Sequence, residues 1–435
     1  MTATAEPDGQ PCNALEHAAL TDVGLRRANN QDTFAVALAP DEAELGHRGH
    51  LFMVADGMGA HAAGELASKL ACESVPHTYR KLLDGSPADA LRQAVIAANA
   101  NIHERGQANA EFQGMGTTCC VLVVVGGAAI VAHVGDSRVY RLRGETLDQL
   151  TFDHSLVWEM TAVGQMPRGE VASFIPKNII TRSLGPHAAV QVDLEGPYWL
   201  EPGDTFLLCS DGLSGQLKDE EIGVVLLALP PSEAVHALVD LANLRGGPDN
   251  ITAVVVRVVS VCPTTNPSSL TDSVAEQSNP ATHPVLWGIT ALCLLFALSF
   301  VITGKLLAAL VSGLAAAATA IAALVANLLK SSPAPSHSLA GPLGTGPHTT
   351  HQCTANAERV TSLAQMAEQL RDAAKDEHWM LDWAKFNAYC DQAQSALARA
   401  DFRSAVRDYA EAIVFMMDQI RHRSKGKDGG SVREN

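Results

Sequence analysis

The chain reads as an α+β protein in which antiparallel sheets pack with helices, and three observations predict this. Short β-rich runs recur at 51–55, 117–125, 128–134, 205–209 and 251–259. Stretches with helical period lie between them, at 63–83, 88–109, 154–163 and 231–244. The runs also come as neighbours: 117–125 and 128–140 are joined by Gly126-Gly127, a hairpin signal. A tight turn between strands argues against a doubly wound parallel sheet, where a helix must separate each strand from the next.

The 435 residues leave room for two or three domains. The net charge of −16, with no Lys/Arg run, excludes a nucleic-acid-binding stripe. Nine cysteines are scattered without zinc spacing and read as reduced, buried thiols. The N-terminus has no basic region followed by an apolar stretch, so no cleaved signal peptide is expected and the first domain is expected in the cytoplasm.

Residues 1–16 read as a disordered lead-in and 17–260 as the main globular domain. A linker rich in Pro, Thr, Ser and Asn follows at 261–284. Residues 285–329 are almost wholly apolar, interrupted by Gly304-Lys305. A bilayer core of about 30 Å takes about 20 helical residues. Two crossings, 285–303 and 306–329, are therefore expected; one crossing followed by an Ala-rich helix is the alternative. A second linker spans 330–353. The charged segment 354–423 has helical period and places Ala405, Tyr409 and Ala412 on one face, as in a helical hairpin or a tetratricopeptide-like unit.

Four aspartates share one context. Asp56 follows LFMVA, Asp136 follows IVAHVG, Asp211 follows FLLCS, and Asp249 precedes Asn250 and ITAVVV. A carboxylate at the end of a buried strand is costly unless it is paired or binds a cation. Four of them with few nearby Lys or Arg point to a shared site for a hard divalent cation, Mg²⁺ or Mn²⁺ rather than zinc. Asp-Gly is also a common hairpin turn. That reading fails best at Asp56, where GMGAHAAGELAS runs into a helix with no returning strand.

Seven segments then occur in a fixed order: TDVGLRRANNQD (21–32), VADGMGAHAAGE (54–65), GMGTT (114–118), HVGDSRVYRLR (133–143), TFDHSL (151–156), LLCSDGLS (207–214) and GGPDNITAVVV (246–256). Together they resemble the motif series of the bacterial PP2C-type (PPM) metal-dependent protein serine/threonine phosphatases, over about 20–258. The resemblance implies a four-layer αββα sandwich, two antiparallel sheets flanked by helices. It implies two or three Mn²⁺ or Mg²⁺ ions. Asp56 would bridge two of them, with the Gly57 carbonyl on one; Asp211 and Asp249 would complete the second. Asp136 with Asp211 would make a third site. Asp32 would hold metal-bound water in the outer shell, and Arg27 would grip the substrate phosphate. A metal pair lowers the pKa of a shared water, and a guanidinium fork matches phosphate oxygens, so these roles are chemically coherent.

The substrates implied are phosphoserine and phosphothreonine proteins, opposite a Ser/Thr kinase; the apolar stretch 285–329 is expected to hold the protein at a membrane. Two other readings stand beside this one: a pseudophosphatase scaffold or sensor, and a C-terminal partner-binding module with the phosphatase as effector. Gln31 and Ala60 depart from the family pattern, as do Phe174 and Ile175 in the flap. His61 and His154 are candidate proton donors, with structural histidines the more ordinary reading. Cys353 and Arg359 have the Cys-x5-Arg spacing of a tyrosine phosphatase loop, but the residues between contain no glycine, so the match reads as coincidence.

Overall fold

The structure is a computed structural model that describes residues 14–60, 62–164, 179–261, 343–377, 379 and 381–428, with the backbone alone for 423–428. In chain order the elements are β1 Leu15–Asp22, β2 Asp32–Ala37, α1 Glu42–His47, β3 His50–Met58, α2 Ala63–Lys81, α3 Pro87–Ala108, β4 Gly116–Thr117, β5 Cys119–Val125 and β6 Ala128–Val134. Then come β7 Arg138–Arg143, β8 Thr146–Gln149, α4 Leu156–Ala162, β9 Asp193–Trp199, β10 Thr205–Cys209, α5 Asp211–Ser214, α6 Asp219–Ala228, α7 Pro231–Leu244 and β11 Ile251–Val258. The last are β12 Thr349–Gln352, α8 Ala357–Asp376, α9 Trp383–Ala398 and α10 Phe402–Asp428.

Two antiparallel sheets form, in the orders β1-β11-β10-β7-β8-β12 and β2-β3-β5-β6-β9, with β4 paired to β3. The strand period of two decides which core each residue joins. Phe206, Leu208, Val254 and Val256 meet Phe52, Val54 and Leu122 between the sheets. Their neighbours Leu207, Cys209, Ala253 and Val255 turn outward to Leu226, Leu238 and Leu241 on α6 and α7. Strands buried on both faces read as unbroken apolar runs, which is why these were legible. On the other sheet α2 lies against β2 and β3 and packs on α3.

Gly126 and Gly127, both at positive φ (57° and 77°), make the expected two-residue turn, with Val125 opposite Ala128. The run 128–140, however, breaks at Gly135 into β6 and β7, which belong to different sheets. Asp136 therefore sits where the chain crosses from one sheet to the other.

Three further boundaries differ from the sequence expectation. β1 starts at Leu15, inside the lead-in, and the Ala14 N–H donates to Ser260 Oγ at 3.2 Å. The stretch assigned to the second linker contains β12, which adds to the β8 edge with Thr349 opposite Gln149 and Gln352 opposite Thr146. Its sequence, TTHQ, has no apolar alternation, so no strand signal exists. The C-terminal segment forms three helices rather than a hairpin, and they are no separate unit: α10 packs on α6 and α7. Ala405, Tyr409 and Ala412 are buried, in one core with Leu226 and Leu238. The expected crossings at 285–329 lie outside the described residues; among the described residues no helix is long and apolar enough to cross a membrane.

Candidate active site

The site forms where strand ends from both sheets meet. Asp32 and Asp56 are register partners on β2 and β3. The Asp56 N–H donates to Thr118 Oγ1 at 2.8 Å, and its carbonyl accepts from the Thr118 N–H at 2.8 Å and the Thr117 hydroxyl at 3.0 Å. Gly57 lies against the first turn of α2, where an added Cβ would stand 2.1 Å from the Gly64 carbonyl oxygen. Only glycine allows that approach. Asp211 opens α5 directly after β10, and its neighbour Ser210 donates to Asp32 Oδ2 at 2.7 Å. The Thr252 hydroxyl donates to the same oxygen at 2.8 Å. Neither Asp56-Gly57 nor Asp211-Gly212 forms a hairpin turn: the first lies within β3 and the second begins a helix.

Asp249 precedes β11 and accepts from Arg27 Nη2 at 2.8 Å, and half of the Arg27 side-chain surface is open to solvent. Its neighbour Asn250 staples the 23–31 loop in place. The Asn250 side chain donates to the carbonyls of Val23 and Asn29, both at 2.9 Å, and accepts from the Gln31 N–H at 2.9 Å.

Burial and mutual repulsion dominate the electrostatics. Burial first, then Asp211 and Asp249, raises Asp32 to about 7, against the hydrogen bonds from Ser210 and Thr252. Burial raises Asp56 well above the carboxylate range, and Asp32, Asp211, Asp136 and Asp249 add to it. Burial, Asp211 and Asp153 do the same to Asp136, with Arg138 opposing. Asp211 is raised by burial and by Asp249, against a hydrogen bond with Asp56 and the charges of Arg27 and Arg138. Asp211 thus acts on Asp32, Asp56 and Asp136, and Asp249 acts on Asp32, Asp56 and Asp211.

This donor set suits hard divalent cations. Asp32 Oδ1, Asp136 Oδ1 and Asp211 Oδ1 are buried with no hydrogen-bond partner among the described residues. Buried carboxylate oxygens without a proton donor need a positive charge. Among the described residues no three His, Cys, Asp or Glu side chains close into a cage.

His154 is fully engaged. Its Nδ1 accepts from the Gly135 N–H at 2.9 Å, its Nε2 lies 2.8 Å from Asp193 Oδ2, and its own N–H donates to the Gly135 carbonyl at 2.7 Å. With Nδ1 accepting, the ring proton sits on Nε2 and goes to Asp193. His154 therefore clamps the turn before Asp136 rather than facing a substrate. His61, Phe174 and Ile175 lie outside the described residues. Ala60 does not have positive φ, so the usual glycine there is not needed. Cys353 packs against Gly223, and burial pushes its thiol up to about 11, which removes it as a nucleophile. The cysteines in the described residues are free, and all but the partly buried Cys390 are buried.

Sequence reasoning missed Thr118, Ser210 and Thr252, which hold the aspartates by hydroxyl contacts. Their signal was slight: each adjoins a motif aspartate or its strand, and small hydroxyl residues are common in strands.

The sequence profile of the family described as Protein phosphatase 2C matches residues 26–241. Protein phosphatase PhpP of Streptococcus pneumoniae is 38% identical over 251 residues, which is 56% of this chain and 97% of that protein. Serine/threonine protein phosphatase PstP of Mycobacterium tuberculosis is 36% identical over 248 residues, 56% of this chain and 45% of that protein. Among solved structures, the S. agalactiae serine/threonine phosphatase is 37% identical with a TM-score of 0.50, covering 56% of this chain and all of that one (100%). The match to PhpP along nearly its whole length, on a fold that gathers the motif aspartates, makes this chain a member of the protein phosphatase 2C family of metal-dependent serine/threonine phosphatases, which use Mn²⁺ or Mg²⁺.

Proposed function

We propose that this protein is a membrane-tethered phosphatase that removes phosphate from serine and threonine side chains, opposing a Ser/Thr kinase on the cytoplasmic side. The observation that carries the catalytic part is the convergence of Asp32, Asp56, Asp136 and Asp211, three of which (Asp32, Asp136 and Asp211) carry a buried oxygen with no hydrogen-bond partner among the described residues, beside the half-exposed Arg27. Asp56, the Gly57 carbonyl, Asp211 and Asp249 would hold two ions, and Asp136 with Asp211 a third. Bound ions supply charge neutralisation and an acidified water. Arg27 at the rim presents a fork of donors to the incoming phosphate; to do so it turns from Asp249, leaving that carboxylate to a cation. Asp32, held by Ser210 and Thr252, would orient water brought by the ions. Water attacks phosphorus directly while the bond from phosphorus to the serine or threonine oxygen breaks; that oxygen leaves and takes up a proton, and no side-chain nucleophile is required.

The test is Mn²⁺-dependent phosphate release from a phosphothreonine peptide, with Asp211→Ala as control. Chelation is expected to abolish activity, and okadaic-acid-type inhibitors to leave it intact. No release at any Mn²⁺ concentration would favour a pseudophosphatase.

The apolar stretch 285–329 supports the tether. The main domain before it and β12 to α10 after it form one compact unit. Such a unit, flanking the apolar stretch in the chain, would keep both of its flanks on one side of a bilayer. That favours an even number of crossings, 285–303 and 306–329, over a single one. Protease protection of the segment after residue 343 checks this: a C-terminal part shielded on the opposite side from the catalytic domain overturns it.

A further inference from the structure

Outside the aspartate cluster, carboxylates of the catalytic domain repeatedly receive partners from one short arm, residues 343–353. Glu195, mostly buried, accepts from the Gly346 N–H at 2.9 Å and lies 3.1 Å from His348 Nε2. Asp148 accepts from the Thr350 hydroxyl at 2.8 Å. At His351 the arm meets two carboxylates at once. Its Nε2 stands 3.2 Å from Asp219 Oδ2 and its Nδ1 3.1 Å from Glu220 Oε1. A ring with a proton on each nitrogen donates to both.

Asp219 links this contact to the interior. Its Oδ1 accepts from the Tyr140 hydroxyl at 2.7 Å and stands 3.6 Å from Arg138 Nη1. Arg138 Nη1 in turn donates to the Tyr140 oxygen at 2.8 Å. The rest of the guanidinium grips Asp153, with Nε at 3.0 Å from both carboxylate oxygens and Nη2 at 2.7 Å from Oδ2. Arg138 begins β7, two residues after Asp136, and between them Ser137 Oγ lies 2.7 Å from Thr118 Oγ1, the group that holds the Asp56 N–H.

We propose that His351 is a positioning residue for the metal site, acting through Asp219 and Arg138. This rests on the metal-site reading above. With His351 in place, Asp219 Oδ2 is satisfied by the arm, and Arg138 is left to Asp153. Without it, a largely buried carboxylate loses a partner and draws on the nearest cation, Arg138 at 3.6 Å. The guanidinium then leaves its fork on Asp153, and the 135–137 turn that carries Asp136, still clamped by His154 at Gly135, loses its support on the β7 side. The effect falls on Mn²⁺ affinity rather than on folding as such.

The experiment measures Mn²⁺ binding by titration calorimetry on the metal-stripped full chain in mild detergent, together with thermal unfolding in chelator. His351→Ala is expected to weaken Mn²⁺ binding by about fivefold or more, about 1 kcal/mol. Thr350→Ala, which loosens the same arm at Asp148, is expected to change it by less than about twofold. Wild-type affinity in His351→Ala overturns the proposal, and so does equal weakening in Thr350→Ala, which would assign the effect to arm docking in general. If His351→Ala does not fold, His351→Gln is judged by the same criterion. A wild-type chain that binds no Mn²⁺ overturns instead the metal-site reading beneath it.

Discussion

Arg421 on α10 forms an ion pair with Asp240 on α7, and the Asp240 side chain has no exposure to solvent. In a chain that ended at β11 this carboxylate would sit on an uncovered helix face; here α10 buries it and supplies the cation. Removing one partner of a buried pair strands the other charge. Arg421→Met is expected to cost about 3 kcal/mol, the lower end of the usual range, because Arg421 is itself partly exposed. Adding Asp240→Asn should recover much of the loss. Urea midpoints at unchanged slope would show it.

The same interface predicts the fate of a fragment cut at residue 261, just after β11. It would uncover the α6–α7 face that packs on Ala405, Ile413 and Met416, and it would leave Glu195 and Asp148 short of arm partners. Each large apolar side chain returned to water costs about 1.5–3 kcal/mol. The fragment should unfold at a lower temperature than a chain lacking only 285–329, or aggregate; equal midpoints would show that the helices are ornamental.

Crowded carboxylates make the metal-free protein sensitive to pH in a direction that can be worked out. Asp32 is raised from 3.8 to about 7. The folded state therefore binds more protons than the unfolded state between about pH 4 and 7, so this group's contribution to stability falls as pH rises through that window. His133 acts oppositely: burial lowers it from 6.5 to about 3, so its contribution is lost as pH falls through that range. Comparing wild type with Asp32→Asn isolates the first effect. In chelator the variant should be the more stable protein at pH 7.5, and its advantage should vanish near pH 4. With Mn²⁺ present wild type should regain the lead.

What the sequence made legible follows from burial. Strands covered on both faces, such as β5, β6, β10 and β11, announce themselves as apolar runs. The aspartates at their ends stand out because charge interrupts those runs. β8 and β12 could not be read this way: they are short, lie toward a sheet edge, and carry polar residues that pair with side chains rather than entering a core. The docking of α8 to α10 was illegible for another reason. Helical period reveals that a face is apolar, not which distant surface it covers, and 285–329 intervenes. The break at Gly135 was hidden because one glycine inside an apolar run resembles a continuing strand.

That glycine carries the last prediction. Gly135 has φ of 116°, and a Cβ there would lie 2.6 Å from Thr118 Cγ2. Both its N–H and its carbonyl are held by His154. Gly135→Ala would therefore meet unfavourable backbone geometry, worth about 1–3 kcal/mol, and a contact no rotamer can relieve. The turn would have to shift, and Asp136 with it. Gly144 provides the contrast: its φ is also positive, at 60°, but nothing lies within 4 Å of an added Cβ. Gly144→Ala should lose about 1 kcal/mol of stability and keep wild-type Mn²⁺ affinity. Gly135→Ala should lose more stability and bind Mn²⁺ more weakly even well below its unfolding temperature. Equal Mn²⁺ affinities in the two variants would mean that the crossing between sheets does not set the position of Asp136.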